Sequence, residues 1–443
     1  MELDIRNAAR GLRFVHGRDF SLSFPGSVWK DYPDNKFLFQ ELAALLTLAG
    51  PITSGRIRKV EYSTPRPFFF DRYLELMRKS IPESTEDYRQ SAEAVLERFN
   101  AMEYTFSGDT ISPSYLPDPE EKAVIPLSAG KDSLLSFALC REIGLDPAVV
   151  YINGHLVRQE NIYKKRLIGI FRKRFKAGGF VVDNQLEGFN DFEFWDVPET
   201  CLPYMHMMTG FAFMMLPFTH ATRSGYVVLG NQQDLDFRLM GSRGLMNPSF
   251  DQTSHWQSVQ DRMVQRMTSG RVRVTSVIRP MANIFLMKVL HTRYPDIAKH
   301  QFSCDCLTGT GEKRWCHECS SCAKNFIFLK ALGVNPRTIG FRKSMLSRDN
   351  RDSFSLFSRR LDDADEKTPE AREQQMLAFL MAYRNGAKGY LMDVFRKRYL
   401  KEAMAKEDYL MKKFFRVYPA DMPRKIKFKI RSILKEELGT VVV

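Results

Sequence analysis

A chain of 443 residues is long enough for more than one domain, and 44% hydrophobic with 12% aromatic residues marks a folded protein, excluding a disordered one. Lys and Arg outnumber Asp and Glu by 66 to 52; the formal charge of +14 suits polyanionic partners such as nucleotides or RNA without specifying one. Met1–Arg10 lacks the apolar core of a signal peptide, and the most apolar run, Met205–Phe218, is too short for a bilayer and holds His206 and Pro217, so a cytoplasmic protein without membrane contact is expected.

Residues 1–120 read as a mixed α+β region. A helix is predicted over Phe37–Leu48, stopped by Gly50 and Pro51, and another over Glu86–Met102. Ser112–Glu120, with its prolines and acidic residues, reads as a linker. Residues 121–340 change character. Short β-branched runs at Ala123–Leu127, Ala148–Asn153, Phe180–Asp183, Tyr226–Gly230 and Val272–Ile278 predict strands. They alternate with helices predicted near Asp132–Ile143, Gln159–Lys176, Tyr204–Thr219 and Ala282–Arg293. Such alternation predicts an α/β fold, doubly wound around a mainly parallel sheet. Residues 341–443 read as a basic helical extension. Runs such as Phe395–Tyr399 and Arg424–Ile433 set Lys and Arg beside aromatic and aliphatic residues; either an amphipathic cover with a wet basic face or an RNA contact fits them.

The sharpest local signal is Ser128-Ala129-Gly130-Lys131-Asp132-Ser133, directly after the first of the β-branched strands. A strand-to-helix turn presents backbone amides and the positive end of a helix dipole to phosphate oxygens. Gly130 lets the backbone come close, Ser128 and Ser133 offer hydroxyls, Lys131 offers charge, and Asp132 suits a helix cap or a Mg2+ ion. The spacing is not that of the G-x-x-x-x-G-K-[ST] loop of kinases. It resembles the S-G-G-x-D-S signature of PP-loop ATP pyrophosphatases, with Ala129 in place of the first glycine. A Cβ there narrows the loop or requires a strained left-handed residue. The resemblance implies an adenine nucleotide alpha hydrolase-like (HUP-type) fold that binds ATP with Mg2+ and splits it into AMP and pyrophosphate.

Five of the seven cysteines lie between Cys304 and Cys322, a clustering that points to a thiolate metal site in a soluble enzyme. Cys316, Cys319 and Cys322 are spaced so that a tight loop turns three sulfurs inward. Cys304 or Cys306 completes a closed tetrahedral Zn2+ site of structural type, with His317 a weaker alternative and an iron–sulfur cluster the chemical rival. Ser303-Cys304 followed by C-x-x-C-x-x-C is similar to the 7-cyano-7-deazaguanine synthases, which favours Cys304. The stretch Arg314–Leu332, Arg279-Pro280 and Gly130-Lys131-Asp132-Ser133 also resemble the ATP-dependent UDP-N-acetylmuramoyl-L-alanyl-L-glutamate epimerases. The similarity spans about Ala123 to Gly333.

Ligands of open α/β sheets bind at the carboxyl ends of the strands. Asn153, Gly230 and Asn231 are therefore candidates for nucleotide contact, together with Ser128 to Ser133. Asp234, Asp251, Gln252 and Ser254 are candidates for substrate contact, and Arg279 offers a planar fork to a phosphate or carboxylate. Lys131, Asp132 and Arg279 are the catalytic candidates. The Met-rich helix and Cys140 read as core, and Cys201 as inert. The resemblance implies adenylation of a small-molecule carboxylate, followed by amidation and nitrile formation or by epimerisation. Modification of an RNA base and a nucleotide-binding scaffold without turnover are the alternatives, and the sequence leaves a homo-oligomer open.

Overall fold

The computed structural model describes residues 1–86, 88, 90–114, 118–154, 158–302, 314–358, 361 and 364–440. After a two-residue strand at Glu2–Leu3 come three strands of the large sheet: β1 (Arg6–Ala8), β2 (Gly11–His16) and β3 (Arg18–Ser23). The expected helix at Phe37–Leu48 is found as Asn35–Leu45, and Gly50 and Pro51 fall inside a second helix, Ala49–Ser54. Pro51 sits in the first turn of that second helix, where an amide would have no helical acceptor anyway. Instead of one helix over Glu86–Met102 there are two. Phe70–Glu86 ends where the prediction begins, and Ala92–Asn100 starts behind Ser91, whose side chain accepts from Ala94 N.

All five predicted strands are present as β4 (Glu120–Pro126), β5 (Ala148–Asn153), β6 (Gly179–Asn184), β7 (Ser224–Val228) and β8 (Arg273–Thr275). Helix α1 (Lys131–Glu142) follows β4, and Arg158–Arg174 follows β5. The run expected as one helix over Tyr204–Thr219 is broken into α2 (Met207–Met214) and Leu216–Thr222, with Pro217 near the start of the latter. Further along come α3 (Ser254–Met267), α4 (Asn283–Arg293), α5 (Ser320–Ala331) and α6 (Pro369–Arg384), then Tyr390–Arg398, Leu400–Phe414 and α7 (Arg424–Gly439).

The strands of the large sheet run in the order β8-β7-β4-β5-β6-β3-β2-β1. From β8 to β6 every pair is parallel, with Val124 opposite Ala148, Val149 opposite Gly179 and Val227 opposite Val124. The first of these strands in the chain, β4, lies in the middle: the next two are laid down on one side of it and the last two on the other. The order therefore reverses between β4 and β7, and this is the switch point at which open α/β sheets bind ligands. Strand β3 then joins β6 antiparallel, Leu22 opposite Asn184, so residues 6–23 extend the same sheet, while Glu2–Leu3 pairs with Lys59–Tyr62 in a separate three-stranded sheet.

Two compact units interleave along the chain. The first comprises 1–127, 144–229 and 241–275 and holds the whole large sheet. Its core joins Phe14, Phe20, Phe189 and Phe213 with Met205, Met214 and Met215, so the Met-rich run is packing material as its composition suggests. Among the described residues one stretch, Asn35–Ser54, is apolar and long enough to cross a bilayer, and 94% of its most apolar window is buried in the protein. The second unit comprises 128–143, 230–240 and 276–443 and is helical. Helix α4 is locked to the C-terminal helix by the buried pair Lys288 Nζ to Glu437 Oε2 at 2.6 Å.

Candidate functional site

The phosphate-loop residues all belong to the second unit, where three turns meet. In the first turn Ala129 is fully buried with φ of 64°, the left-handed conformation that its glycine-like position foreshadowed. An L-residue held there costs about 1 kcal/mol. Gly130 is the N-cap of α1 and brings no side-chain cap. Ser128 Oγ accepts from Gly130 N at 3.3 Å and meets Ser133 Oγ at 3.3 Å, while Ser133 Oγ donates to Gly130 O at 3.2 Å. Both hydroxyls thus sit across the turn. Phe302 N ties it down from behind by donating to Ala129 O at 2.8 Å.

Lys131 is buried, and its Nζ reaches back to Asp132 Oδ2 at 2.8 Å. The other oxygen, Asp132 Oδ1, is buried and has no hydrogen-bond partner among the described residues. A carboxylate with one oxygen neutralised and one idle is a cation ligand in waiting.

The second turn, 230–236, packs directly on this carboxylate. A Cβ added at Gly230 would lie 3.2 Å from Asp132 Cβ, so Gly230 makes room for Asp132. Gly230→Ala is expected to push Asp132 aside and slow any reaction that uses it by about tenfold, with a small loss of stability. Steady-state rates and a melting curve on the variant check this.

The third turn follows β8. Ser276 Oγ donates to Asn231 O at 2.6 Å, and Gln233 N donates to Met281 O at 3.1 Å. Arg279, a catalytic candidate from sequence, is 1% exposed and spends its Nη1 on Gln232 O at 2.9 Å and on Asp236 at 3.5 Å. Burial lowers its pKa to about 10, with Asp236 opposing, so it stays charged at neutral pH. Its observed part is to lock the 232–236 turn. Gln232 Oε1 and Asn283 Oδ1 join Asp132 Oδ1 as buried acceptors without a partner among the described residues.

The substrate candidates separate. Asp234 is in the second turn, but its carboxylate accepts from Asn283 N at 3.1 Å, Asn283 Nδ2 at 2.8 Å and Gln374 Nε2 at 2.6 Å. It caps α4 and binds α6 to it, a structural duty. Asp251, Gln252 and Ser254 belong to the first unit, as does Asn153. Asp251 is 3% exposed and accepts from Met208 N at 2.6 Å, Thr209 N at 3.2 Å, Thr209 Oγ1 at 2.5 Å and Gln260 Nε2 at 3.1 Å. It caps the start of α2 from across the fold. Gln252 Nε2 donates to Ser249 Oγ at 3.1 Å, and Ser254 O accepts from Ser258 Oγ within the first turn of α3. Asn153 ends β5 and donates to Asp183 at 2.5 Å, leaving its buried Oδ1 without a partner among the described residues.

Burial raises the Asp251 pKa from 3.8 to about 6 against those four hydrogen bonds. The folded protein keeps a proton that the unfolded chain has released, so this carboxyl favours the fold at low pH and that advantage is lost between about pH 4 and 6. A shift of two units corresponds to about 3 kcal/mol. Asp251→Asn is expected to flatten the pH dependence of unfolding free energy across that window, as denaturant titrations at pH 4 and pH 6.5 would record.

A second cluster lies where α5 begins. The sulfurs of Cys316, Cys319 and Cys322 lie within 4.8 Å of one another and could hold a metal ion. Cys316 Sγ and Cys322 Sγ are 3.6 Å apart, too far for a disulfide. Backbone amides are directed at the sulfurs: Glu318 N at 3.4 Å and Cys319 N at 3.3 Å to Cys316, and Cys322 N at 3.4 Å to Cys319, which caps α5. N–H donors on sulfur favour the thiolate, the form that binds metal. Trp315 anchors the approach, fully buried, stacked 4.3 Å from the Phe341 ring and donating to Ile339 O at 2.6 Å. His317 Nε2 accepts from Arg342 N at 3.0 Å, and among the described residues His317 is not part of the group formed by the three thiols. Ser303, Cys304 and Cys306 lie outside the described residues. Cys140 is fully buried in α1 and its thiol is pushed far up by burial, so it is inert.

The sequence reading missed Asn283 and Gln374, amides whose importance comes only from where the turns converge. No protein-family model matches the chain, and no curated protein matches it at a significant level.

Proposed function

We propose that the chain is an adenylating enzyme of the PP-loop ATP pyrophosphatase type, built on a HUP-type fold, that activates a small-molecule carboxylate. The observation that carries this reading is Asp132 Oδ1, buried and without a partner among the described residues, in the first turn of a helix that follows the strand at the switch point. The strand order around β4 and the S-A-G-K-D-S turn support the same reading.

Asp132 would hold a Mg2+ ion, with Gln232 and Asn283 offering oxygens to its waters, and the ion would offset charge on the leaving pyrophosphate. The substrate carboxylate oxygen attacks the α-phosphorus of ATP; the new P–O bond forms as the bond to the β-phosphate bridge breaks. Acyl-adenylate and pyrophosphate result. Ser128, Ser133 and the uncapped start of α1 supply hydrogen bonds and dipole to the departing phosphates. Cys316, Cys319 and Cys322 would hold a structural Zn2+ ion with Cys304 or Cys306 as fourth ligand. The test is product identity. Incubation with Mg-ATP and a panel of carboxylic acids is expected to release AMP and pyrophosphate with one of them; ADP and phosphate alone would count against the reading.

A second reading, adenylation of an RNA base, is favoured by one surface. On α7, Arg424, Phe428, Arg431 and Lys435 share a face at helical spacing, and Phe428 is 78% exposed between exposed arginines. An aromatic ring among cations stacks on a base while the cations meet phosphates. Phe428→Ala is expected to weaken tRNA binding by about 1–3 kcal/mol in a gel-shift titration. Unchanged affinity would leave α7 as a wetted amphipathic helix.

A further inference from the structure

Two adjoining depressions lie wholly within the second unit, at the carboxyl end of α5. Their volumes are about 390 and 210 Å3, and Lys330, Asn335 and Arg337 line both. Arg342, Lys343 and Lys388 line the smaller one as well, so five cations border one hollow; neither Asp nor Glu lines it among the described residues. The five come from four segments: the last turn of α5, the turn behind it, the stretch after Phe341 and the loop after α6. Lys330 is half-buried and the other four are exposed. Among the described residues, none of their charged heads forms a salt bridge or a hydrogen bond.

Part of this charge has an ordinary reason. Lys330 and Arg337 stand at the negative end of the α5 dipole, where cations are favoured. That end is already served, however. Asn385 Nδ2 donates to Lys330 O at 3.2 Å and to Ala331 O at 2.8 Å, and Val334 N donates to Leu329 O at 2.9 Å. Lys388 has the opposite setting. It directly precedes Gly389, the N-cap of the helix Tyr390–Arg398, where a dipole disfavours positive charge. Like charges gathered in one hollow repel one another, which destabilises the fold until an anion enters.

The floor of the hollow is fixed. Phe341 and Phe326 line the smaller depression, both buried, with Phe341 stacked on Trp315 at 4.3 Å and edge-on to Phe326 at 5.4 Å. Arg342 N donates to His317 Nε2 at 3.0 Å, and Arg337 N donates to Asn335 Oδ1 at 3.1 Å. The backbone that carries the cations is therefore set before a ligand arrives, which lowers the cost of binding.

We infer that this hollow is a binding site for a compact ligand made of several linked phosphates. Lys offers a point charge and Arg a planar fork, and both suit phosphate oxygens. The larger depression alone falls within the range of about 300–1,000 Å3 for small-molecule sites, and the shared wall lets a chain of phosphates run into its neighbour. The rings that line the hollow are buried, at 2% and 6% exposure, so neither lies open to stack a nucleobase. That favours phosphates alone over an RNA strand held by its bases. The hollow shares no residue with the S-A-G-K-D-S turn and does not rest on the adenylation reading.

Titration calorimetry of the full-length protein with sodium tripolyphosphate, at fixed ionic strength without added Mg2+, tests this. Saturable binding in the range of about 1–100 μM is expected, with orthophosphate at least about tenfold weaker. Arg337→Gln combined with Lys343→Gln should weaken tripolyphosphate by at least about tenfold, and Lys388→Gln alone by about fivefold. Arg424→Gln combined with Arg431→Gln removes the same charge from α7 and should leave the affinity within about twofold. All these side chains are exposed, so melting temperatures should stay within a few degrees. A second binding event that persists in the Arg337 and Lys343 variant belongs to the phosphate turn; the event lost is the one assigned here. Equal losses in the two paired variants, or no saturation up to about 10 mM, would overturn the assignment. So would binding of tRNA, but not of tripolyphosphate, through Arg337 and Lys343.

Discussion

Cys322→Ser is expected to strip the protein of its metal and lower its melting temperature by about 5–10 °C. Of the three thiols, Cys322 alone is fully buried, and it lies in the first turn of α5, whose Phe326, Ile327, Phe328 and Leu329 sit in the core of the second unit. A thiolate metal centre contributes its binding energy to folding, and apparent values of about 10–16 kcal/mol are known for isolated zinc modules. Here part of that is supplied by other contacts, because Trp315 stacks on Phe341 and Arg314 holds Lys299 O and Gln301 O whether or not metal is bound. A residual effect of about 2–4 kcal/mol gives the stated shift for a unit of this size. Elemental analysis should fall from about one zinc per chain to none, and a chelator under reducing conditions should reproduce the change in the unmodified protein. Cys140→Ser, which removes a buried thiol elsewhere, should keep the metal. A coloured protein containing iron would point to the cluster chemistry instead. Full metal content in Cys322→Ser would remove Cys322 from the ligand set.

The parallel strands were legible because most of them carry consecutive buried residues and so read as β-branched runs. Ala148–Asn153, with five of six residues buried, is the clearest case. The antiparallel extension was not. Strands β1 to β3 mix Arg, Asp and Gly with Leu and Phe, and their acceptor strand, β6, lies some 160 residues away. Local pattern carries no trace of such a partner. The phosphate turn was legible for the opposite reason, since its geometry is wholly local and even the left-handed Ala129 follows from the motif. The carboxylates and the arginine were harder. Asp234, Asp251 and Arg279 follow or precede strands in the manner of ligand contacts, yet each serves a buried backbone: the start of α4, the start of α2 and the 232–236 turn. A charged residue at a strand end reads the same whether its partner is a ligand or a helix terminus 40 residues away.

Asp132→Asn is expected to lower the rate of AMP and pyrophosphate formation by about 10²–10³ while leaving KM for ATP within a few-fold. The reason is the division of labour between the two oxygens. Oδ2 is held by Lys131 Nζ at 2.8 Å, and Oδ1 is the buried acceptor without a partner among the described residues. An amide keeps an oxygen for one of these duties but loses the charge that would retain Mg2+ and, through it, stabilise the leaving group; losses of two to three orders are typical when one electrostatic contact to developing charge is removed. Binding of the nucleotide leans on backbone and hydroxyl groups of Ser128 to Ser133, which the change leaves in place, so KM moves less than kcat. The fold should survive. Lys131 still has an amide oxygen to donate to, and Ala129 and Phe302 fix the turn independently. A melting temperature within a few degrees of the parent would confirm that. Raising Mg2+ should recover part of the lost rate if the ion is what Asp132 holds, and should do nothing for Gly230→Ala, in which the carboxylate is intact but displaced. Turnover equal to the parent's would show Asp132 to be only the partner of a buried lysine, and the turn to be a scaffold.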